Sequence, residues 1–590
     1  MEDGGGFLGV ERSLTGRRWR QRLADDRTGL ALAQRLAVPE ILGRVLAARG
    51  IDAESADRFL SPTLREQLPD PSGLKDMDLA VARLARAVKH SELIAIFGDY
   101  DVDGATSAAL LRRFLESAGG RVMVYVPDRL KEGYGPNAPA LLKLKSEGVA
   151  VAVTVDCGIT AHAPLAEAAE AGLDVVVVDH HVGEAELPRA VAVVNPNRLD
   201  EQSPHGVLAA VGVAFLLAVG INRALRQDGW YAGRPEPDLR RLLDLVALGT
   251  ICDVVPLTGI NRALVVQGLK VMRQLGNLGM AALAEVAGVS QRLDTYHAGF
   301  VLGPRVNAGG RVGRADTGTR LLTTEDASEA RALAQALDQW NAERREIEAR
   351  TLAEAIEQVE QAQGSRPIVF AAREGWHPGV IGIVASRLKD RYNRPACVVA
   401  LAGGIGKGSG RSVTGFALGP AIIAARQAGL LINGGGHAIA AGFTVAESQV
   451  AALRDFLAER ADGAAGSNGL VPELSLDGAL MPAAATPEFV ALLERLAPFG
   501  AGNAEPRFAF PSLMVHRADV VGENHVRAIL GEAVGPQRLK AVAFRSLDTD
   551  LGRALLNGRG RGFHVAGHLR ADSWQGRTEV QLQIEDAAAA

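Results

Sequence analysis

The chain has 590 residues, 47% hydrophobic and 22% charged, with a formal net charge of −4. That length predicts about three to five domains of ordinary globular composition. The charge excludes a global basic field, so any nucleic-acid contact has to come from local basic grooves.

Taken in chain order, residues 1–80 read as a helical N-terminal region. Residues 81–324 read as one domain, and from about 85 to 255 it repeats a short apolar run followed by a helical pattern. "ELIAIFGD" precedes "TSAALLRRFLESAG", "VMVYVPDR" precedes "APALLKLKSEG", and "VAVTVDCG" precedes "AHAPLAEAAEAG" before "DVVVVDHH" follows. Continuous Val/Ile runs between amphipathic helices predict a buried, mainly parallel sheet, an α/β fold. Residues 325–363 hold a helical period without Gly or Pro until Gly364, and predict a connecting helix of about 60 Å if it is continuous. Residues 364–460 read as a second, smaller α/β unit that carries "GKGSGRS" and "NGGGHAIAAG"; "RADGAAGSNG" reads as a linker. Residues 470–590 give a short helical piece and then alternating strands such as "FHVAGHLRA" and "TEVQLQIED", which suggest a small β-barrel. Of its aromatics, Phe563 and Trp574 are expected in the barrel core rather than on a stacking surface.

The unusual polar residues of the first sheet fall just past its strands, where open parallel sheets bind ligands. Asp99, Asp101 and Asp103 lie in "GDYDVDG", Asp156 ends "VAVTVD", and Asp179, His180 and His181 end "DVVVVDHH". Asp253 interrupts the apolar run "ALGTICDVVPL" and is expected on the same rim. One such aspartate is ordinarily a helix N-cap. Four sites together require a compensating cation, because clustered carboxylates in a low-dielectric crevice otherwise disrupt the fold. Mixed Asp and His donors suit Mn²⁺ or a similar borderline ion, and they suffice for two ions about 3.5–4 Å apart, the arrangement that supports in-line displacement at phosphorus. Cys157, Cys252 and Cys397 match no zinc or disulfide spacing, and the Cys beside Asp156 reads as a buried core residue. The N-terminus shows no signal peptide and the longest apolar runs fall short of about 20 residues, so a cytoplasmic protein without a membrane segment is expected.

These motifs resemble the DHH phosphoesterase superfamily and, within it, the bacterial RecJ exonucleases. The likeness rests on "GDYDVDG", "PDRLKEGYG", "VDCGI", "DHH", "LPRAVAVVNPNR", "AVGVAF", "GTICDVVPL", "GPRVNAGGR", "GSGRS" and "GGGHAIAAG", in that family's order. The resemblance implies a DHH domain, a connecting helix, a DHHA1 domain and an OB-type barrel. It implies a 5′-to-3′ single-stranded-DNA exonuclease of recombination and repair that uses two Mn²⁺ or Mg²⁺ ions. Transferred residue by residue, it makes Asp101, Asp156, His180 and Asp253 ligands of one ion, and gives Asp99 the second ion together with Asp101 or Asp156. Asp103 and Asp179 would orient those ligands. His181 could contact the scissile phosphate, protonate the leaving group or support His180. The superfamily's small phosphatases carry a His where this chain has Ala95, so the second ion has fewer protein ligands.

For the 5′-phosphate and the strand, the candidate donors are Arg129, Arg305, Arg311, Ser409, Gly410, Arg411 and His437, with glycines that let backbone N–H groups approach. Expected partners are single-stranded DNA, a single-strand-binding protein and a repair helicase, with no membrane and a monomeric chain. A nanoRNase or small-nucleotide phosphatase is the competing enzyme, disfavoured by the extra C-terminal module. A non-catalytic replication scaffold is disfavoured because every ligand position is filled.

Overall fold

Four Val- and Ile-rich runs and a short fifth strand form a parallel sheet because each can bury both of its faces. The strand order is Arg121–Tyr125, Leu93–Gly98, Val149–Val155, Asp174–Val178 and Ala192–Val194. Alternate residues enter two cores. Ile94, Ile96, Val151, Val153, Val176 and Val178 join one, and Ala95, Phe97, Ala152, Val175 and Val177 join the other. The chain passes from Leu93–Gly98 to one neighbour and then to the other, so the crevice opens at the carboxyl ends of 93–98 and 149–155. The computed structural model describes residues 5–23, 25–128, 131–361, 366–465, 472–574 and 577–590.

Apolar helices fill the first core. Val102–Ser117, Ala210–Gln227 and Leu243–Cys252 are largely buried, the last on nearly every side, as expected of helices without a polar stripe. Ala210–Gln227 is long and apolar enough to pass for a membrane span, but 72% of it is buried within the fold. The sheet and these helices belong to one unit, residues 63–470.

The run expected as a connecting helix is continuous over Ala327–Gln361, 35 residues or about 52 Å. Beyond it, in the same unit, lies a five-stranded mixed sheet in the order Asn433–Gly436, Ala440–Ala446, Ile405–Arg411, Ala396–Ala402, Val369–Glu374. "GKGSGRS", whose glycines are expected to let backbone N–H groups approach a phosphate, is mostly a strand within this sheet. Its alternation supplies the reason: a Cβ on Gly408 would lie 2.1 Å from the Phe443 ring, and one on Gly410 2.6 Å from Leu418. These glycines face a packed core, while Ser409 and Arg411 take the opposite face.

The second unit comprises residues 1–62 and 471–590. Phe508–Val521, His525–Gly531, Arg538–Ala543, Arg577–Ala589 and Gly562–Trp574 pair in series, and 562–574 pairs back on 508–521 to close a barrel. Phe563 lies in its core, as expected; the side chain of Trp574 lies outside the described residues. The N-terminal region departs from a purely helical segment of 80 residues. Arg18–Gln21 is a strand paired in parallel with Glu473–Leu476, fixed by a fully buried Trp19 whose indole N–H donates to Asp586 at 3.0 Å.

Candidate functional site

The site begins where two strands end. After Leu93–Gly98 the chain turns into helix Val102–Ser117, whose N-cap is Asp101, with its Oδ1 accepting from Gly104 N–H at 3.0 Å. Gly104 is required: a Cβ there would lie 2.5 Å from the Asp99 carbonyl oxygen. After Val149–Val155, Asp156 adopts φ +61°, a left-handed conformation that aspartate, after glycine, tolerates better than most residues do. One oxygen from each of Asp99, Asp101 and Asp156 lies within 4.8 Å of the others.

Two further groups share these residues. Asp156 converges with His180 and His181, and His180 converges with Asp103 and Asp253, each set within 4.8 Å. His180 Nε2 stands 3.3 Å from Asp156 Oδ1, and His180 Nδ1 3.6 Å from Asp253 Oδ2. Asp253 reaches the cluster from a different element than expected. It caps the C-terminus of helix Leu243–Cys252 rather than a strand, because that apolar run is long enough to pack as a buried helix. A carboxylate there meets the negative end of the helix dipole as well as its acidic neighbours.

Asp103 and Asp179 act on backbone. Asp103 accepts from Ala210 N–H at 2.7 Å and Val211 N–H at 2.9 Å, which caps the N-terminus of helix 210–227 across the fold. Asp179 accepts from the N–H groups of Ile159, His180 and His181 and bonds His181 Nδ1 at 2.7 Å. The sequence reading missed three more supports. Asn197 and Asn195 amides donate to the carbonyls of His180 and His181, and the Tyr134 hydroxyl donates to the Asp156 carbonyl at 2.9 Å. All three lie inside motifs already quoted, "VVNPNR" and "EGYG", but nothing in their spacing marks them.

The electrostatics call for a cation. Burial, then Asp101, raise Asp156 well above the ordinary carboxylate range; burial, then Asp253, do the same to Asp103. Burial and Asp101 push Asp253 up to about 7. Burial and the adjacent His181 lower His180 to about 4, which leaves the neutral imidazole that metal ligation requires. Burial would lower His181 too, but its bond to Asp179 prevails and raises it to about 9. A divalent ion fits these residues: the buried His180 Nε2 and Asp253 Oδ2 make no hydrogen bond among the described residues. Ala95 is buried within the sheet and offers no donor.

The expected phosphate donors fall in different places. Arg129 lies outside the described residues. Arg305 is not an exposed clamp: it is buried, bonded to Asp338 on the long helix at 2.8 Å and to the Val301 carbonyl. Arg311 donates to the Gly379 carbonyl at 2.9 Å, which ties the first lobe to the loop before helix Ile381–Tyr392. Ser409 and Arg411 stand against the first turn of that helix, where a Cβ on Gly382 would lie 3.1 Å from Ser409 Oγ and 3.2 Å from Arg411 Nη2. Arg411 donates to Ser409 Oγ and to its neighbour Gly410 O, and its burial depresses its pKa. Gly435, Gly442 and Ser409 lie in one row across the sheet, and a Cβ on either glycine would meet nothing within 4 Å among the described residues. That face is floored by open backbone. His437 is exposed in the turn between Asn433–Gly436 and Ala440–Ala446.

Comparison with known proteins agrees with this anatomy. Residues 93–250 match the DHH family N-terminal domain, 365–462 the DHHA1 domain and 476–586 the RecJ OB domain. The chain is 38% identical to the single-stranded-DNA-specific exonuclease RecJ of Dickeya dadantii over 563 residues, 93% of this chain and 96% of that protein. It superposes on Thermus thermophilus RecJ in complex with Mn²⁺ with a TM-score of 0.81 at 31% identity, over 97% of this chain and 79% of that one. The Mg²⁺ complex of the Thermus protein gives 0.76 at 29% identity, over 97% and 78%. A parallel sheet with aspartates at its switch point, a smaller α/β lobe and a closed barrel, matched over nearly the whole length, mean that the chain belongs to the RecJ family of the DHH superfamily.

Proposed function

We propose that this chain is a single-stranded-DNA-specific exonuclease that hydrolyses phosphodiester bonds from the 5′ end with two Mn²⁺ or Mg²⁺ ions. The observation that carries this reading is the convergence of Asp99, Asp101, Asp156, His180 and Asp253 at the switch point, with His180 neutral and two of the ligand atoms lacking a hydrogen bond among the described residues. Asp101, Asp156, His180 and Asp253 would hold one ion, and Asp99 with Asp101 or Asp156 the second. Bound there, the ions supply the charge that acidifies water and offsets charge growing on phosphate oxygens.

The chain's own residues do the rest. Asp179 fixes the His181 ring through Nδ1, which leaves Nε2 as a donor for a phosphate oxygen or a departing 3′ oxygen. Asp103 and the Asn195–Asn197 pair hold the backbone that carries the ligands. On the second lobe, Ser409, Gly410 and Arg411 beside the first turn of helix 381–392 form an anion site suited to a 5′-phosphate, with His437 and the glycine floor along the strand's path. Arg311 would act by tying the lobes together, and Arg305 by holding its helix. The domain division proposed is the one given above, with residues 1–62 assigned to the barrel unit. The barrel would add strand-binding surface. A cytoplasmic monomer that works with a single-strand-binding protein and a repair helicase completes the reading.

Labelled single strands and matching duplexes test it. Mn²⁺-dependent loss of nucleotides from the 5′ end of single strands alone supports the proposal. Cleavage confined to oligomers of two to five nucleotides would replace it with the small-oligonucleotide reading.

A further inference from the structure

Two aromatic rings stand in solvent on a turn that packs on the helix ending in Asp253, where burial would have been the cheaper arrangement. Phe300 is 72% exposed and Tyr296 61%, and their rings stack with centroids 5.5 Å apart and planes 27° from parallel. Phe300 sits on a π-helical turn, His297–Leu302, a rare geometry that recurs at functional sites. Its other side packs inward through Ala298 and Leu302.

Contacts locate this turn. Cys252 Sγ approaches the Ala298 carbonyl at 3.5 Å, and a Cβ on Gly299 would lie 3.3 Å from Ile251. Both partners belong to the last turn of the helix that ends in Asp253, and the next residue, Val254, is itself 69% exposed. The same segment continues as helix Gly303–Val312, whose Gly310 packs so closely on Tyr100 that a Cβ would lie 2.8 Å from its carbonyl oxygen. Residues 297–312 thus border the centre at both Asp253 and the Asp99–Asp101 turn.

We infer that Phe300, backed by Tyr296, is a stacking platform for a base of the single strand near the scissile phosphate. The inference rests on the exonuclease reading for the identity of its ligand. A flat, prestacked pair of rings suits bases of any sequence, since every base has a π face and stacking requires no hydrogen-bond match. It would hold the strand by its bases while the metal centre engages the backbone, which provides a grip on unpaired strands that a duplex, its bases already stacked, does not offer.

The test uses the full chain in two assays. In chelator, where no cleavage occurs, a Phe300→Trp variant is titrated with an oligothymidylate and with the same oligomer made abasic. Indole fluorescence, corrected for the wild-type tryptophans, should be quenched by the first and not by the second. In Mn²⁺, Phe300→Ala should raise KM for single strands about tenfold, with kcat changed less, while Phe300→Trp retains the wild-type value and abasic strands are degraded equally by all three. Equal quenching by both oligomers, or an unchanged KM in Phe300→Ala, overturns the platform and leaves the patch to a protein partner. If base-dependent quenching appears but wild type degrades no DNA, the exonuclease reading fails and the platform stands.

Discussion

The two lobes of the larger unit handle charge in opposite ways. The first gathers Asp99, Asp101, Asp103, Asp156 and Asp253 around a crevice, where burial and mutual repulsion raise Asp103, Asp156 and Asp253. The second sets a half-buried arginine, a serine and open glycine backbone on a sheet face, and the Nη1 of that arginine donates to two neutral oxygens. The acidic cluster repels itself until a cation arrives; the second face carries one guanidinium held by neutral oxygens, with no like charge beside it among the described residues. On the proposed reading, metal dependence would belong to the first lobe, and recognition of the strand's terminal phosphate to the second.

The sharpest way to break that contrast is Asp156→Asn. Nucleotide release from 5′-labelled single strands should fall at least about a thousandfold, while binding of a 5′-phosphorylated strand, followed by anisotropy, changes little. Equal loss of both would mean that the acidic lobe also carries recognition. Next in size, Arg411→Ala should raise KM about tenfold or more for 5′-phosphorylated strands, in line with loss of charge-assisted hydrogen bonds. Strands with a 5′-hydroxyl should be nearly indifferent, and kcat should hold. Identical effects on both substrates would demote Arg411 to a packing role.

A smaller effect separates ligands from supports. Asp103→Ala leaves the N–H groups of Ala210 and Val211 buried without an acceptor, at a cost of about 2 kcal/mol in urea unfolding. The loss should appear with chelator and with Mn²⁺ alike, and Asp103→Asn should recover part of it. The smallest effect is in pH. Asp253 has a folded-state value of about 7, above its ordinary unfolded value, so between the two the native state binds more protons and stability falls as pH rises. In chelator the first transition should melt higher at pH 6 than at pH 8, and Mn²⁺ should reduce the difference. A slope unchanged by Mn²⁺ would place the titrating groups elsewhere.

Much of the site was legible because strands carry their chemistry at their ends. Asp99, Asp156 and His180 follow apolar runs whose period and composition could only mean a buried parallel sheet, and such sheets converge at one rim. Asp253 was legible as an oddity but not as a helix cap, since a fully apolar helix and a buried strand share one pattern over ten residues. Arg305 looked like a clamp because an arginine beside glycines offers charge, and only packing revealed Asp338 across from it. "GKGSGRS" shows the same ambiguity: glycine permits a turn, yet it also permits Phe443 and Leu418 to press against a strand.

The sequence by itself determined the parallel sheet, the long helix, the barrel and the residue types of a two-ion site, because hydrophobic periodicity and clustered carboxylates are local in the chain. Tertiary structure alone decided which carboxylates converge and that Asp103 caps the distant helix 210–227. It also decided that Arg18–Gln21 joins the barrel unit and that the turn carrying the exposed Phe300 packs on the helix that ends in Asp253. These depend on contacts between residues tens to hundreds of positions apart, and no local pattern records them.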